Sequence, residues 1–172
     1  MRRTENDRAG ASASHRFHRA DSLRDSMYVS CLTPSTPRAR TCPFAYCEIH
    51  AAETAITVSA TLRRAAQWFR EQGCGPVQAV MSDNAKCYAR SHAFRATLAE
   101  LGARHILIPP YTPRWNGKIE RFWHTLDSEW AHSRVWPNST RRDRALASFM
   151  RYYTRRRPHS AARGRPPISR VH

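Results

Sequence analysis

The chain has 172 residues, with 29 Lys and Arg against 13 Asp and Glu, a formal charge of +16 and a pI near 11.0. That length accommodates one core of roughly 100 to 150 residues plus terminal segments, and excludes two full domains with independent cores. No stretch approaches the ~18 consecutive apolar residues of a membrane span, and the Arg-rich N-terminus has no apolar signal region, so we expect a cytoplasmic protein with a strongly anionic partner, nucleic acid by default.

Residues 1–40 are rich in Arg, Ser, Thr and Pro and are expected to be poorly ordered, apart from the short run Met27 to Leu32. Phe44 to Ile49 is mostly apolar and β-prone and is expected to be a buried strand. A helix follows, with a stripe from Ile56 or Val58 through Leu62, Ala65, Ala66 and Phe69, ended by Gly73 and Gly75-Pro76. Val77 to Met81 then reads as a strand that delivers Ser82-Asp83-Asn84 at its C-terminal end, where α/β folds commonly place catalytic carboxylates.

Ser91 can cap a second helix carrying Phe94, Leu98 and Leu101, which Gly102 stops, and Arg104 to Ile108 is its partner strand. Pro109-Pro110-Tyr111-Thr112-Pro113 forces an extended loop, because proline fixes φ and restricts the residue before it. The loop leads to a helix from about Asn116 to Ala131, with Ile119, Phe122, Leu126 and Trp130 on one stripe. A last helix, capped by Ser139 or Thr140, shows Leu146, Phe149, Met150 and Tyr153 at helical spacing. The expected organisation is an N-terminal segment over 1–40, a core over 41–155 and a basic Pro/Arg tail over 156–172.

Only Lys86 and Lys118 are lysines, so nearly all the positive charge is guanidinium, which forks onto phosphate oxygens and stacks on bases. A GC-rich coding sequence explains the same Arg content, and composition does not separate the two. The cysteines (Cys31, Cys42, Cys47, Cys74, Cys87) form an odd set with no C-x-x-C pair, so neither a zinc knuckle nor a disulfide framework is expected. That usage suits a reducing cytoplasm.

Asp83 at a strand end and Glu120 in the first turns of a helix are joined by a helix, a strand and a proline-rich loop, a path that can bring two carboxylates together. Phosphodiester chemistry uses such hard oxygen ligands: Mg²⁺ binds carboxylates and water, and in two-metal sites the ions stand ~3.5 to 4 Å apart. Taken alone, the two acids read more simply as a cap and a solvated surface group.

The words around them change that reading. They are Ser82-Asp83-Asn84 with Tyr88, Phe94-Arg95, Leu98 to Gly102, Pro110-Tyr111-Thr112-Pro113 and Asn116-Gly117-Lys118-Ile119-Glu120-Arg121-Phe122, then Tyr153, Arg157-Pro158-His159-Ser160 and Gly164-Arg165-Pro166-Pro167. In this order, over roughly Phe44 to Val171, the chain resembles the integrase-type transposases of bacterial insertion sequences, which share the ribonuclease-H-like fold of retroviral integrases. The resemblance implies an α/β protein with a ribonuclease-H-like mixed sheet flanked by helices and a basic C-terminal tail. It implies a D-D-E polynucleotidyl transferase that cleaves and joins DNA phosphodiesters, with Asp83 as the second acid and Glu120 as the third, both ligating Mg²⁺ or Mn²⁺ of a two-ion site. It further implies a homo-oligomer on DNA in a bacterial, nucleoid-associated setting.

The motif also makes physical sense residue by residue. Asn116 is a good helix cap and Gly117 permits close approach of backbone to DNA. Lys118 and Arg121 flank Glu120 and can hold phosphates, and His124 lies one turn further on. Arg155, Arg156, Arg157 and His159 read as a phosphate-gripping segment whose binding depends strongly on salt. Each has a blander alternative: a solvated basic helix face for Lys118 and Arg121, a surface histidine at 124, a solubilising tail. Trp115 either stacks on an unpaired base or packs its own loop.

The resemblance breaks at its beginning. The family's first catalytic Asp lies on the first strand of the sheet, and none of Asp7, Asp21 or Asp25 sits in an apolar or alternating run. Pro37 to Pro43 replaces the family's acidic Asp-x-Ser-Arg stretch, and Ala162-Arg163 replaces its Leu-Gly. We therefore expect incomplete first strands, as in an N-terminally truncated frame, a bare sheet edge, and catalysis impaired by loss of the first acid. The alternative is a catalytically dead DNA-binding remnant, with an RNA-binding protein more distant.

Overall fold

The computed structural model describes residues 44–82, 84–109 and 117–171, together with the course of two strands, β1 (Ala11–Ser14) and β2 (Tyr28–Leu32). With β3 (Tyr46–His50), β4 (Ala79–Ser82) and β5 (Arg104–Leu107) these form one five-stranded sheet in the order β3-β2-β1-β4-β5. β2 runs antiparallel to β1 and β3, whereas β1, β4 and β5 are mutually parallel, so the sheet is mixed.

The one β-prone run of the N-terminal segment becomes β2, in register with β3 from Tyr28↔His50 to Leu32↔Tyr46. Where the sequence suggested incomplete first strands, β1 is short but present: Ala11 and Ser12 pair with Val80 and Met81, and Ala13 and Ser14 with Leu32 and Cys31. Alternating Ala and Ser is too weakly apolar to announce a strand, and its place is set by the neighbours on either side.

Helices cover both faces. α1 (Ala55–Glu71), the short α2 (Lys86–Ala89) and α3 (His92–Glu100) pack with Phe44 and Val80 around Leu62, Ala65, Phe69, Tyr88 and Phe94. On the other face α4 (Gly117–Leu126), a π-helical turn (Asp127–Ala131) and α5 (Ser139–Arg155) gather Phe122, Leu126, Trp130, Leu146 and Tyr153 against Ala45, Cys47 and Ile49. Phe44 and Ala45, adjacent in the chain, thus belong to opposite cores, as the two-residue period of an extended backbone requires. Truncating Phe94, which is fully buried, costs about 3–5 kcal/mol by the usual cavity penalty.

Of the two starts offered for the stripe of α1, Val58 is the buried one and Ile56 is 77% exposed. Other expectations are corrected. The cap of α5 is Asn138, whose extended backbone lets its side chain accept from Arg141 N–H at 2.9 Å, which makes Ser139 the first helical residue. β3 is half-buried rather than buried, because it is an edge strand whose Glu48 and His50 join a polar network with α1. Cys47 is disulfide-bonded, against the expectation of no disulfide; its Cα partner across the ladder is Cys31, a pairing set by register and invisible in sequence spacing. Ser91 does cap α3, accepting from Phe94 N–H at 3.0 Å.

Residues read as a tail fold back on the core. His159 and Arg165 form an isolated bridge around the 3₁₀ turn Ser160–Ala162, and a second such turn, Pro167–Arg170, buries Pro167. Ile168 and Val171 pack against the α1–α3 core, and Gly73, at φ +80°, lies where a Cβ would come within 3.2 Å of Val171 Cγ1. None of the described helices is long and apolar enough to cross a membrane.

Candidate active site

β4 ends at Ser82, and Asp83, Asn116 and the loop 110–116 lie outside the described residues. Glu120 stands in the first turn of α4 with its side chain exposed; the helix N-terminus is a favourable place for negative charge. The side chain of Lys118, in the same turn, is likewise not among those described.

What singles out Glu120 is the state of the other acids. Glu48 is held by Arg64, Glu100 by Arg63, Asp127 by His132, Glu129 by Arg157 and Asp143 by Arg142, while Glu53 accepts from Tyr88 and Glu71 from Gln67. Among the described residues Glu120 alone of the carboxylates has no hydrogen bond or ion pair.

The basic residues divide in the same way. Arg121 and His124 are exposed on α4, and Arg155 and Arg156 are exposed at the end of α5 and just past it; none of the four has an ion-pair partner among the described residues. Arg157 is different: its guanidinium clasps Glu129 through Nε at 2.7 Å and Nη2 at 2.5 Å, and it lies 5.7 Å from the centre of the Tyr153 ring. That hydrogen bonding holds the Glu129 carboxyl below its ordinary range and raises Arg157. The ring of His159 meets Tyr153 edge-on at 6.3 Å and its Nδ1 accepts from Ala161 N–H at 3.2 Å. Burial, then the charges of Arg157 and Arg121, push its pKa down. The fold therefore brings Arg121, Arg157 and His159 into one electrostatic neighbourhood.

Sequence reasoning missed the contacts made by the described neighbours of position 83, Ser82 and Asn84. Ser82, fully buried, places Oγ 2.9 Å from His105 Nε2, and Asn84 Nδ2 donates to the Ile108 carbonyl at 3.2 Å. His105 is half-buried and burial holds its pKa below the usual value, so its imidazole is neutral at neutral pH. No linear signal connects positions 82 and 105; only the β4–β5 register does.

Hard carboxylate oxygens are the right donors for a divalent ion, and exposed Glu120 is one such donor. Among the described residues no three His, Cys, Asp or Glu side chains converge, and β1, the strand beside β4, carries only Ala and Ser. A full three-carboxylate set is therefore not assembled by the described residues. A cavity of about 540 Å³ lined by Arg134, Trp136, Asn138 and Arg142 lies elsewhere, between the end of the π-helical turn that follows α4 and the start of α5.

A mixed sheet in the order β3-β2-β1-β4-β5, with β2 reversed and helices on both faces, is the ribonuclease-H-like fold of integrase cores. The sequence adds a match to the integrase core domain family over residues 101–167, which contain α4, α5 and Glu120. The catalytic core domain of BIV integrase is similar in structure, with TM-score 0.65 and 16% identity over 94% of this chain and 91% of that one. So is a chain of the simian T-cell lymphotropic virus intasome in complex with PP2A regulatory subunit B56 gamma, with TM-score 0.70 and 17% identity over 94% of this chain. This protein spans about half of that intasome chain, 53%. No curated protein matches the sequence.

Proposed function

We propose that this chain is the catalytic core of an insertion-sequence transposase, a polynucleotidyl transferase that cleaves and joins DNA strands, with Asp83 and Glu120 as its metal-binding carboxylates. The observation that carries the reading is Glu120: an acid in the first turn of α4, without a partner among the described residues, inside the stretch that matches the integrase core domain. Mg²⁺ or Mn²⁺ held by the two acids would polarise a phosphodiester. Lys118 and Arg121 flank Glu120 in sequence and would hold phosphates, with Asn116 and His124 beside them. Arg155 and Arg156 would extend the contact along the backbone, and Arg157 and His159, engaged with Glu129 and Ala161, would shape that surface from beneath. Action as a homo-oligomer on DNA is part of the same reading and rests on the resemblance of the sequence to insertion-sequence transposases.

A second reading rests on β1. Its residues Ala11–Ser14 include no carboxylate, which favours impaired catalysis or a DNA-binding protein without it. Mn²⁺-dependent nicking of supercoiled plasmid separates the two. Nicking by the wild type, lost in Asp83→Asn and in Glu120→Gln, supports the enzyme; equal inactivity of all three folded proteins, with salt-sensitive DNA binding intact, leaves the binding protein.

A further inference from the structure

α5 turns one face to the core through Leu146 and Tyr153 and the opposite face to solvent. On the outer face Arg141, Arg144, Arg151 and Arg155 are all exposed. Their spacing sets them within about 80° of arc and along roughly 21 Å of helix axis, so they form one line. Ser148 stands in the gap of that line, its Oγ accepting from Arg151 Nη2 at 2.8 Å. The acid of this helix, Asp143, is taken up by Arg142, whose buried guanidinium bonds it at 2.9 Å. The four exposed arginines have no ion-pair partner among the described residues. Tyr153 sets its ring 5.1 Å from that of Phe122, so the Arg155 end of the line lies near the first turns of α4 and the Arg141 end leads away from them.

We propose that the outer face of α5 is a contact surface for duplex DNA, a track of guanidiniums that holds the phosphates of a segment leading away from Glu120. The proposal rests on the reading of the chain as a DNA-strand transferase for its choice of DNA. Like charges three or four residues apart on a helix repel, and a face that serves only solubility mixes both signs. Here no acid offsets the line, and a row of phosphates would. B-DNA carries one charge per ~1.7 Å of axis, so roughly 21 Å of helix passes enough phosphates to engage every guanidinium, each of which can fork onto phosphate oxygens. The face offers one aromatic side chain, Tyr152, 46% exposed, and otherwise nothing apolar larger than Ala. It lacks the stacking platform that single strands use and the apolar centre of a protein interface.

The experiment compares the full chain with two triple variants. One carries Arg141→Ala, Arg144→Ala and Arg151→Ala on α5. The other carries Arg70→Ala, Arg90→Ala and Arg95→Ala, exposed arginines on or beside the helices of the opposite face. Both lose the same charge, so the overall basicity of the chain does not separate them. Binding to a duplex of about 20 base pairs is followed by fluorescence anisotropy over a salt series without metal. We expect the α5 variant to reduce the slope of log binding constant against log salt by about 0.9 for each phosphate lost, about 2 to 3 in all, with the control variant near wild type and all three proteins melting alike. Equal slopes for the two variants would overturn the track, as would a loss of slope confined to single strands of the same length. Mn²⁺-dependent nicking by the same proteins tests the enzyme separately. An inactive wild type with the slope difference intact leaves the α5 surface standing, whereas a wild type with no salt-dependent duplex binding removes both.

Discussion

Two glutamates at the edges of this fold have opposite surroundings. Glu48, on β3, accepts from Arg64 at 2.7 and 2.6 Å, from Thr61 at 3.1 Å and from the Tyr46 hydroxyl, with His50 Nε2 3.1 Å away. Burial pushes its pKa up, but the bonds from Arg64, Tyr46 and Thr61 outweigh it and leave the carboxyl below its ordinary range. Glu120 stands in solvent with no partner among the described residues. A carboxylate surrounded by donors is a strut between a strand and a helix and has no capacity left for a ligand. One left open at a helix N-terminus has all of its lone pairs available, at little cost to the fold.

The sharpest way to break this contrast is Glu120→Gln. Nicking is expected to fall on the order of 10²-fold or more, since a ligand should matter at least as much as the groups that orient it. The melting curve should stay within the ~0.5 kcal/mol typical of a surface exchange. Retained nicking would remove Glu120 from the site; a large loss of stability would show that it is a strut after all.

Glu48→Gln should do the reverse. Losing the charge leaves half-buried donors poorly matched, and we expect roughly 2 kcal/mol of destabilisation, discounted from the fully buried case because the Arg64 side chain is 50% exposed. Binding of DNA by the folded fraction should be unaltered. Because the folded pKa is depressed, the stabilisation is present above the ordinary carboxylate range and is lost as pH falls through the folded value. Urea titrations at neutral and acid pH check both statements, and an equal effect of the substitution at the two pH values would contradict the linkage.

The same contrast explains what the sequence could and could not reveal. Helices with a clear stripe and a cap residue, such as Ser91 and Phe94 to Leu98, are legible because local chemistry decides them. The first strand is not, since four Ala and Ser residues acquire a place only through β2 and β4. Glu120 could be named from its motif, but that it is unengaged among the described residues shows only beside the other described acids, three of which (Glu53, Glu100 and Glu129) find their partners far along the chain. The Ser82–His105 tie and the disulfide at Cys47 are likewise products of register, and the odd cysteine count suggested the opposite.

The basic residues at the end of α5 permit a smaller test. Arg155 and Arg156 are exposed, whereas Arg157 is clasped by Glu129. Replacing the first two with Ala should reduce the slope of log binding constant against log salt by about 0.9 for each phosphate no longer neutralised, with little change in melting. Arg157→Ala should lower stability by about 1 kcal/mol, the range for a partly exposed pair, and affect binding mainly through the turn it anchors. A full reduction in salt slope from Arg157→Ala alone would show that the ion pair opens on DNA.

His159 gives the smallest effect and the most specific sign. Its Nδ1 must be unprotonated to accept from Ala161 N–H, and burial with the charges of Arg157 and Arg121 depresses its pKa in the folded state. The unfolded chain therefore binds more protons than the folded one between the folded pKa and the ordinary value near 6.5. Stability contributed by His159 is complete above that ordinary value and declines as pH falls towards the folded one. His159→Asn, which can keep an acceptor near the same place, should retain stability to within about 1 kcal/mol while flattening this part of the profile. If the wild type and His159→Asn lose stability in parallel between neutral pH and mildly acid pH, the acid sensitivity belongs to another group and the imidazole is a passive part of the turn.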